Sequence, residues 1–291
     1  MSAFAIQAFF DEPTFTASYL LWDPESRSAA IIDSVLDFDQ PSGSVQTTSA
    51  DAMLAVVAAE NLVVEWILET HAHADHLSAA GYLKAKTGAK IGIGARIGEV
   101  QAIFRPRFGH AHPAPDRFDR LLADGDRVAL GTLVLDVIAT PGHTPACVSY
   151  RVDDALFVGD TLFMPDYGTA RTDFPGGDAA TLYRSIRRLL SLPPETRMFL
   201  CHDYKAPGRD QFAWETSVAE QRAHNVHVHD GISEADFVAM REQRDKTLAV
   251  PRLILPSLQV NVEGGRLPEA GTGHERRLAL PLTVPEGYIE A

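Results

Sequence analysis

Apolar and polar positions fall into two successive runs of short, strand-like and helix-like patterns. Phe4 to Phe10 and Phe15 to Trp22 alternate well enough to predict two early strands. A turn at Asp23-Pro24-Glu25-Ser26 leads to a short strand, Ala29 to Ile32, that ends at Asp33. Pro41 to Ser44 reads as a loop, and Ser49 as the cap of a helix running to about Ala59. Val63 to Leu68 is a β-branched, apolar run and predicts a buried strand; Leu77 to Lys86 predicts a helix.

The second run repeats the theme. Lys90 to Gly94 reads as a strand and Arg96 to Phe104 as a helix. Residues 105–118, rich in Pro, Arg, His and Phe, read as an irregular loop, and a loop of that length inside a domain is usually functional or mobile. Strands follow at 128–130, 132–139, 147–152 and 155–158, with Gly/Asp turns between them. Asp178 to Leu192 is an amphipathic helix with Leu182, Ile186, Leu189 and Leu190 on one side, and Met198 to Cys201 is a short buried strand. Gln211 to His224 and Ser233 to Lys246 read as helices, the second opening on a capping-box-like Ser233-Glu234-Ala235-Asp236. From Pro251 the tail is rich in Pro and Gly, with little periodicity. This order predicts an α/β chain: two packed sheets with helices outside in a domain over 1–205, and a C-terminal extension over 206–291 packed on it.

Composition narrows the setting. The balance of 45% hydrophobic and 22% charged residues is that of an ordinary globular protein. No run approaches the ~20 apolar residues that span a bilayer. Met1 to Gln7 has no basic segment followed by an apolar one, so no signal peptide is visible. The two cysteines, Cys147 and Cys201, are far apart and outside any CxxC pattern, which points to a reduced, cytoplasmic setting. A net charge of −13 repels phosphate backbones and argues against nucleic-acid partners, Arg105 and Arg107 being the nearest approach to a basic patch.

The chemistry concentrates in His71-Ala72-His73-Ala74-Asp75-His76, three histidines and a carboxylate just past a predicted buried strand. The carboxyl ends of strands are where α/β layers leave a crevice for ligands, and imidazole with carboxylate suits zinc, iron, manganese or nickel. Three further strand ends carry ligand-type residues: His143 in Thr140-Pro141-Gly142-His143, Asp160 in Gly159-Asp160-Thr161, and His202-Asp203. A lone histidine after a strand is usually a polar loop residue, but four such ends together predict a metal site. The string His224-Asn225-Val226-His227-Val228-His229 has no carboxylate within it and suits a solvent-facing helix end, so it is not assigned to metal.

With those residues in view, the sequence resembles the metallo-β-lactamase superfamily over roughly residues 4–205. The resemblance is carried by HxHxDH at 71–76 followed in order by His143, Asp160 and His202. It implies a four-layer αββα sandwich with the metal at one edge between the sheets. It also implies that His71, His73 and His143 line one metal position, that Asp75, His76 and His202 line a second, and that Asp160 lies between. Two zinc ions would make the site a hydrolase; a single Fe(II) on His71, His143 and Asp160 would make it an oxygenase with open positions. Gly159-Asp160-Thr161-Leu162-Phe163, Arg171-Thr172-Asp173-Phe174 and His202-Asp203-Tyr204 look like the persulfide dioxygenase branch, and 249–256 is similar to that branch's ending. The link Met164 to Ala170 is longer than in the human-type members and resembles a bacterial subgroup.

The branch implies oxidation of glutathione persulfide by O2 at Fe(II), with zinc as a substitute metal. His73, Asp75, His76 and His202 would then hydrogen-bond bound water and orient the ligands, or hold a second ion, with His76, Asp75 and His202 as the expected catalytic residues. Arg171 and Tyr204 are the expected substrate-binding residues, with Arg105 and Arg107 as possible help from the long loop. The alternative is a dizinc thioester hydrolase of the glyoxalase II type. No membrane partner is expected, and a homodimer is allowed for without being specified.

Overall fold

The computed structural model describes residues 4–271 and 275–285. The first half contains β1 (Ala5–Asp11), β2 (Thr16–Trp22), β3 (Ser28–Ile32), β4 (Val35–Asp39), β5 (Ser44–Gln46) and α1 (Thr48–Ala59). It continues through β6 (Val63–Leu68), β7 (Leu77–Ser78), α2 (Ala80–Thr87), β8 (Lys90–Gly94), α3 (Ile97–Phe104) and β9 (Arg120–Leu122). The second half contains β10 (Arg127–Leu130), β11 (Leu133–Ala139), β12 (Val148–Val152), β13 (Ala155–Phe157), α4 (Ala179–Leu189) and β14 (Arg197–Phe199). After it come β15 (Glu215–Ser217), α5 (Val218–His224), α6 (Glu234–Asp245) and α7 (Ile254–Asn261).

The strands form two six-stranded sheets, β1-β2-β3-β6-β8-β9 and β10-β11-β12-β13-β14-β15, and a small sheet β5-β4-β7. Three apolar clusters make the layers visible. Tyr19, Leu21, Ile32, Leu68, Leu135, Tyr150, Phe157 and Phe199 pack between the two large sheets. Leu20, Ile31, Ile67, Ile91 and Ile93 on the other face of the first sheet pack against Met53, Leu83, Ile97 and Leu258 from helices α1, α2, α3 and α7. Leu156, Val158, Met198 and Leu200 on the outer face of the second sheet pack against Leu182, Ile186, Leu189, Val218 and Phe237 from α4, α5 and α6. This is the four-layer αββα sandwich. Each such aliphatic or aromatic side chain contributes about 1.5–3 kcal/mol on burial.

Strand direction decides where the site falls. β3 and β6 run parallel, as do β13 and β14. β11 is antiparallel to β12, which is antiparallel to β13, so β11 ends on the same edge as β13 and β14. The two sheets meet at that edge: Ala17 N–H donates to the Cys201 carbonyl at 2.7 Å, and Val148 N–H to the Thr70 carbonyl at 2.9 Å.

Several local expectations are corrected. Residues 211–217 are not helical; Glu215–Ser217 pairs antiparallel with β14, and Trp214 packs against the inter-sheet core. The expected loop at 41–44 is the turn of a hairpin, β4 with β5, whose strands were not expected. Leu77 and Ser78 pair with β4, and the helix after them starts at Ala80. Ser49 does not cap α1; its hydroxyl donates to Asp37 at 2.6 Å. The irregular-looking tail contains α7, whose Leu258 and Val260, with Val262 just after it, join the first helical layer. Residues 105–118 hold two short 3-10 turns, in which Arg105 is buried and paired with Glu263.

Candidate metal centre

Five strand ends build the site. At the end of β3, Asp33 sits at φ 51°, a left-handed backbone that a non-glycine residue rarely adopts. Its Oδ1 accepts from the Thr70 N–H at 2.7 Å and its Oδ2 from the Thr70 hydroxyl at 2.9 Å, which anchors the loop after β6. Gly159, at φ 54°, leads from β13 into Asp160; a Cβ there would lie 2.5 Å from the Thr70 hydroxyl. Gly142, before His143, is equally constrained, since a Cβ would lie 2.4 Å from the Leu182 backbone.

The histidines are oriented by their other ring nitrogens. His143 Nδ1 lies 2.8 Å from the Arg171 carbonyl and donates to it, which presents Nε2 to the centre. His71 Nδ1 is 3.0 Å from the Thr70 hydroxyl. His202 Nδ1 is 3.2 Å from the Phe15 carbonyl, and His76 Nδ1 is 3.3 Å from the Thr16 hydroxyl. Asn261, from α7, donates to the carbonyls of His73 and His76 at 2.8 Å each and accepts from the Ser78 N–H at 2.8 Å.

Four overlapping ligand groups result among the described residues, and two of them gather the expected ligands. His71, His143 and Asp160 bring one ligand atom each within 4.8 Å of one another, with Asp160 Oδ2 3.8 Å from His71 Nε2 and 3.6 Å from His143 Nε2. His73, Asp75, His76 and His202 form the second group, with Asp75 Oδ2 3.2 Å from His202 Nε2. Asp160 Oδ1 reaches the second group, 3.4 Å from His202 Nε2, so this carboxylate stands between the two. His73 is grouped with Asp75, His76 and His202 and also with Asp33 and Cys201. Its ring lies between its neighbours, 4.1 Å from that of His71 and 4.2 Å from that of His76, centroid to centroid.

The donor set fits a metal. His73 Nδ1, His76 Nε2, His202 Nε2 and Asp160 Oδ1 are buried with no hydrogen-bond partner. Buried polar atoms left unpaired are costly and rare, and here they converge on one place. The charges are strongly coupled. Burial and the neighbouring histidines hold His71 well below the ordinary imidazole range. Burial also opposes charge on His73, but Asp33 and Glu69 outweigh it and push the group well up.

The centre opens into a cavity of about 530 Å³. Asp75, His143 and Asp160 lie on its wall with Phe163, Tyr167, Phe174 and Tyr204. The Tyr204 ring stacks on His202 at 5.7 Å, and burial, with Asp75 and Asp160 nearby, keeps its hydroxyl protonated well above the usual range. Arg171 lines the cavity, but its fork is taken by Asp173 at 2.6 and 2.7 Å and by the Ala249 carbonyl at 2.7 Å. Arg244 and Arg252 also line it and make no ion pair among the described residues. Arg105 and Arg107 do not line it. Of the His224–His229 string, His227 joins no ligand group; its Nδ1 accepts from the Thr169 N–H at 3.1 Å.

Sequence reasoning missed Asp33, Glu69, Asn261, Arg244 and Arg252. Asp33 carries the same signal as the ligands, a polar residue just past an apolar strand. Glu69 sits beside the motif; Arg244 lies in a helix the sequence predicts but with no sign of a role, and Asn261 and Arg252 lie where no periodicity marked an element.

The fold and the clustered donors define a metal-dependent enzyme of αββα architecture. The pattern of the metallo-beta-lactamase superfamily matches residues 11–202, and the chain belongs to that superfamily. It is 54% identical to a probable metallo-hydrolase of Burkholderia pseudomallei, over 95% of this chain and 98% of that protein. It is 44% identical to glyoxylase B2 of Dictyostelium discoideum, over 95% and 96%. The human mitochondrial persulfide dioxygenase ETHE1 is 32% identical over 68% of each chain. The crystal structure of ETHE1 from Myxococcus xanthus superposes with a TM-score of 0.74 at 33% identity, covering 90% of this chain and all of that one. The chain spans 65% of the length of the beta-lactamase hydrolase-like protein of Xylella fastidiosa, with which it shares 50% identity. No helix among the described residues is long and apolar enough to cross a membrane.

Proposed function

We propose that the protein is a persulfide dioxygenase that converts glutathione persulfide, O2 and water into glutathione, sulfite and two protons. The observation that carries the reading is the His71, His143 and Asp160 group, two imidazoles and one carboxylate, with His143 and Asp160 on the cavity wall. Two histidines and one carboxylate with open positions are the ligand set of non-haem Fe(II) oxygenases. The similarity to the human and Myxococcus ETHE1 proteins supports the same choice.

Fe(II) on these three residues would supply the electrons and the binding positions that let dioxygen react with sulfur. The chain's own residues do the rest. The Arg171 carbonyl and Thr70 hydroxyl fix the rings of His143 and His71. Arg244 and Arg252 bind the carboxylates of the glutathione part, since a guanidinium pairs with a carboxylate through a planar fork. Tyr204, held neutral, donates a hydrogen bond to substrate. His202, against Asp75, holds a proton at Nε2, and His76 supports the same network. Confining both reactants in one apolar-walled cavity removes most of the entropic barrier.

A second reading has its own observation. The unpartnered His73 Nδ1, His76 Nε2 and His202 Nε2 beside Asp75 suit a second ion, and two zinc ions would make a glyoxalase II-type thioester hydrolase. The similarity to the Burkholderia and Dictyostelium proteins favours it. Presenting the purified enzyme with glutathione persulfide on an oxygen electrode, and separately with S-lactoylglutathione, divides the two. The dioxygenase reading expects oxygen uptake with the first and negligible thiol release from the second; the reverse overturns it.

A further inference from the structure

Arg171 is expected at the substrate, yet each of its three nitrogens already donates within the protein. Nε and Nη2 donate to Asp173 at 2.6 and 2.7 Å, and the guanidinium lies over the Phe174 ring at 5.2 Å. A planar fork engaged by one carboxylate is poorly placed to take another. Nη1 donates to the Ala249 carbonyl at 2.7 Å. Ala249 belongs to the strap 246–253, which links α6 to α7 along one wall of the cavity. Leu248, Pro251, Arg252 and Leu253 of this strap line the cavity.

Little else holds the strap. Among the described residues, 249–252 make one hydrogen bond to a distant part of the chain, the one from Arg171. Leu253 is buried, but Leu248 is 37% and Val250 68% exposed. Arg252 is exposed too, so its backbone decides where its charge points. Ordering a long side chain on binding costs affinity, and holding its backbone in the bound position removes part of that cost. We propose that Arg171 is a positioning residue: it latches the 246–253 strap so that Arg252 faces the cavity where an anionic, glutathione-linked substrate binds. The Arg171 carbonyl accepts from His143 Nδ1 at 2.8 Å, so the same residue joins the strap to the loop behind a metal ligand. The inference rests on the reading that the cavity takes a glutathione-linked substrate, which both candidate reactions share.

Two measurements on the metal-loaded full chain test it, with metal content and circular dichroism as controls. Limited trypsin digestion, read by mass, reports cuts after Lys246 and Arg252. Calorimetry with glutathione reports binding. Arg171→Met keeps the stem and removes the donors; it should speed those cuts at least about threefold and weaken glutathione about 3–10-fold. Arg171→Lys, which keeps one donor group, should fall between Arg171→Met and the native chain. On an Arg252→Ala background, Arg171→Met should weaken glutathione no further, because it acts through Arg252. If Arg171→Met does not fold, Asp173→Ala, which loosens the guanidinium, takes its place with the same directions expected. Unchanged cutting overturns the proposal. Losses that add in the double variant mean that Arg171 touches the ligand itself, and overturn it as well. A native chain that does not bind glutathione overturns the shared substrate reading, and the trypsin cuts then decide the latch alone.

Discussion

Asp160 is the side chain on which the centre turns, because its two oxygens face different ligand groups. Asp160→Asn replaces an anionic ligand with a weak one, and metal analysis should show loss of bound metal with activity down at least ~100-fold. Gly159 is a steric requirement: Gly159→Ala adds a Cβ against Thr70 at a left-handed backbone and should cost about 1–3 kcal/mol in denaturant unfolding. His227 supplies a pH signature away from the metal. Burial, with Arg241 and Arg244 nearby, lowers its pKa from 6.5 to about 4. The unfolded chain therefore takes up the proton first as pH falls. The contribution of neutral His227 is complete above about pH 6.5 and is lost progressively toward pH 4. An NMR titration should find this ring neutral at pH 5.5, and His227→Gln should flatten the stability change between pH 6.5 and 5.

At the scale of elements, the site is a set of strand ends on one edge, clamped from outside by α7. Asn261→Ala removes two hydrogen bonds to the motif's carbonyls and one from Ser78; it should cost roughly 2–3 kcal/mol and weaken metal retention, measured by unfolding and by metal content. This is also the scale at which legibility in the sequence divides. The strands carrying His71, His143, Asp160 and His202 were readable because apolar runs stop abruptly at Gly, Pro or a polar residue. Asp33 gave the same signal but lay outside the motif. Glu215–Ser217 looked helical because its short, polar run has no periodicity of its own; pairing with β14 makes it a strand. α7 was hidden by Pro256 and by flanking prolines and glycines, although Leu258 and Val260 bury themselves on the first helical layer. Arg171, expected at the substrate, is held by Asp173 two residues away, a pair that spacing allows for, and by the Ala249 carbonyl, a tertiary contact that spacing does not reveal.

At the scale of the whole molecule, a chain of net charge −13 presents two guanidinium groups, Arg244 and Arg252, at the cavity beside its metal centre. That local reversal of sign suits an anionic substrate. Arg244→Ala and Arg252→Ala should each raise KM for glutathione persulfide about tenfold with kcat little changed, read from initial rates of oxygen uptake. The superfamily's fold serves both hydrolysis and oxidation, so the metal and the second reactant separate them. The most direct test is to purify the protein anaerobically, measure its metal, and follow oxygen while adding glutathione persulfide. The account predicts one iron per chain and one O2 consumed for each sulfite formed. A chain that carries two zinc ions, takes up no oxygen even after iron loading, and hydrolyses a glutathione thioester would contradict it.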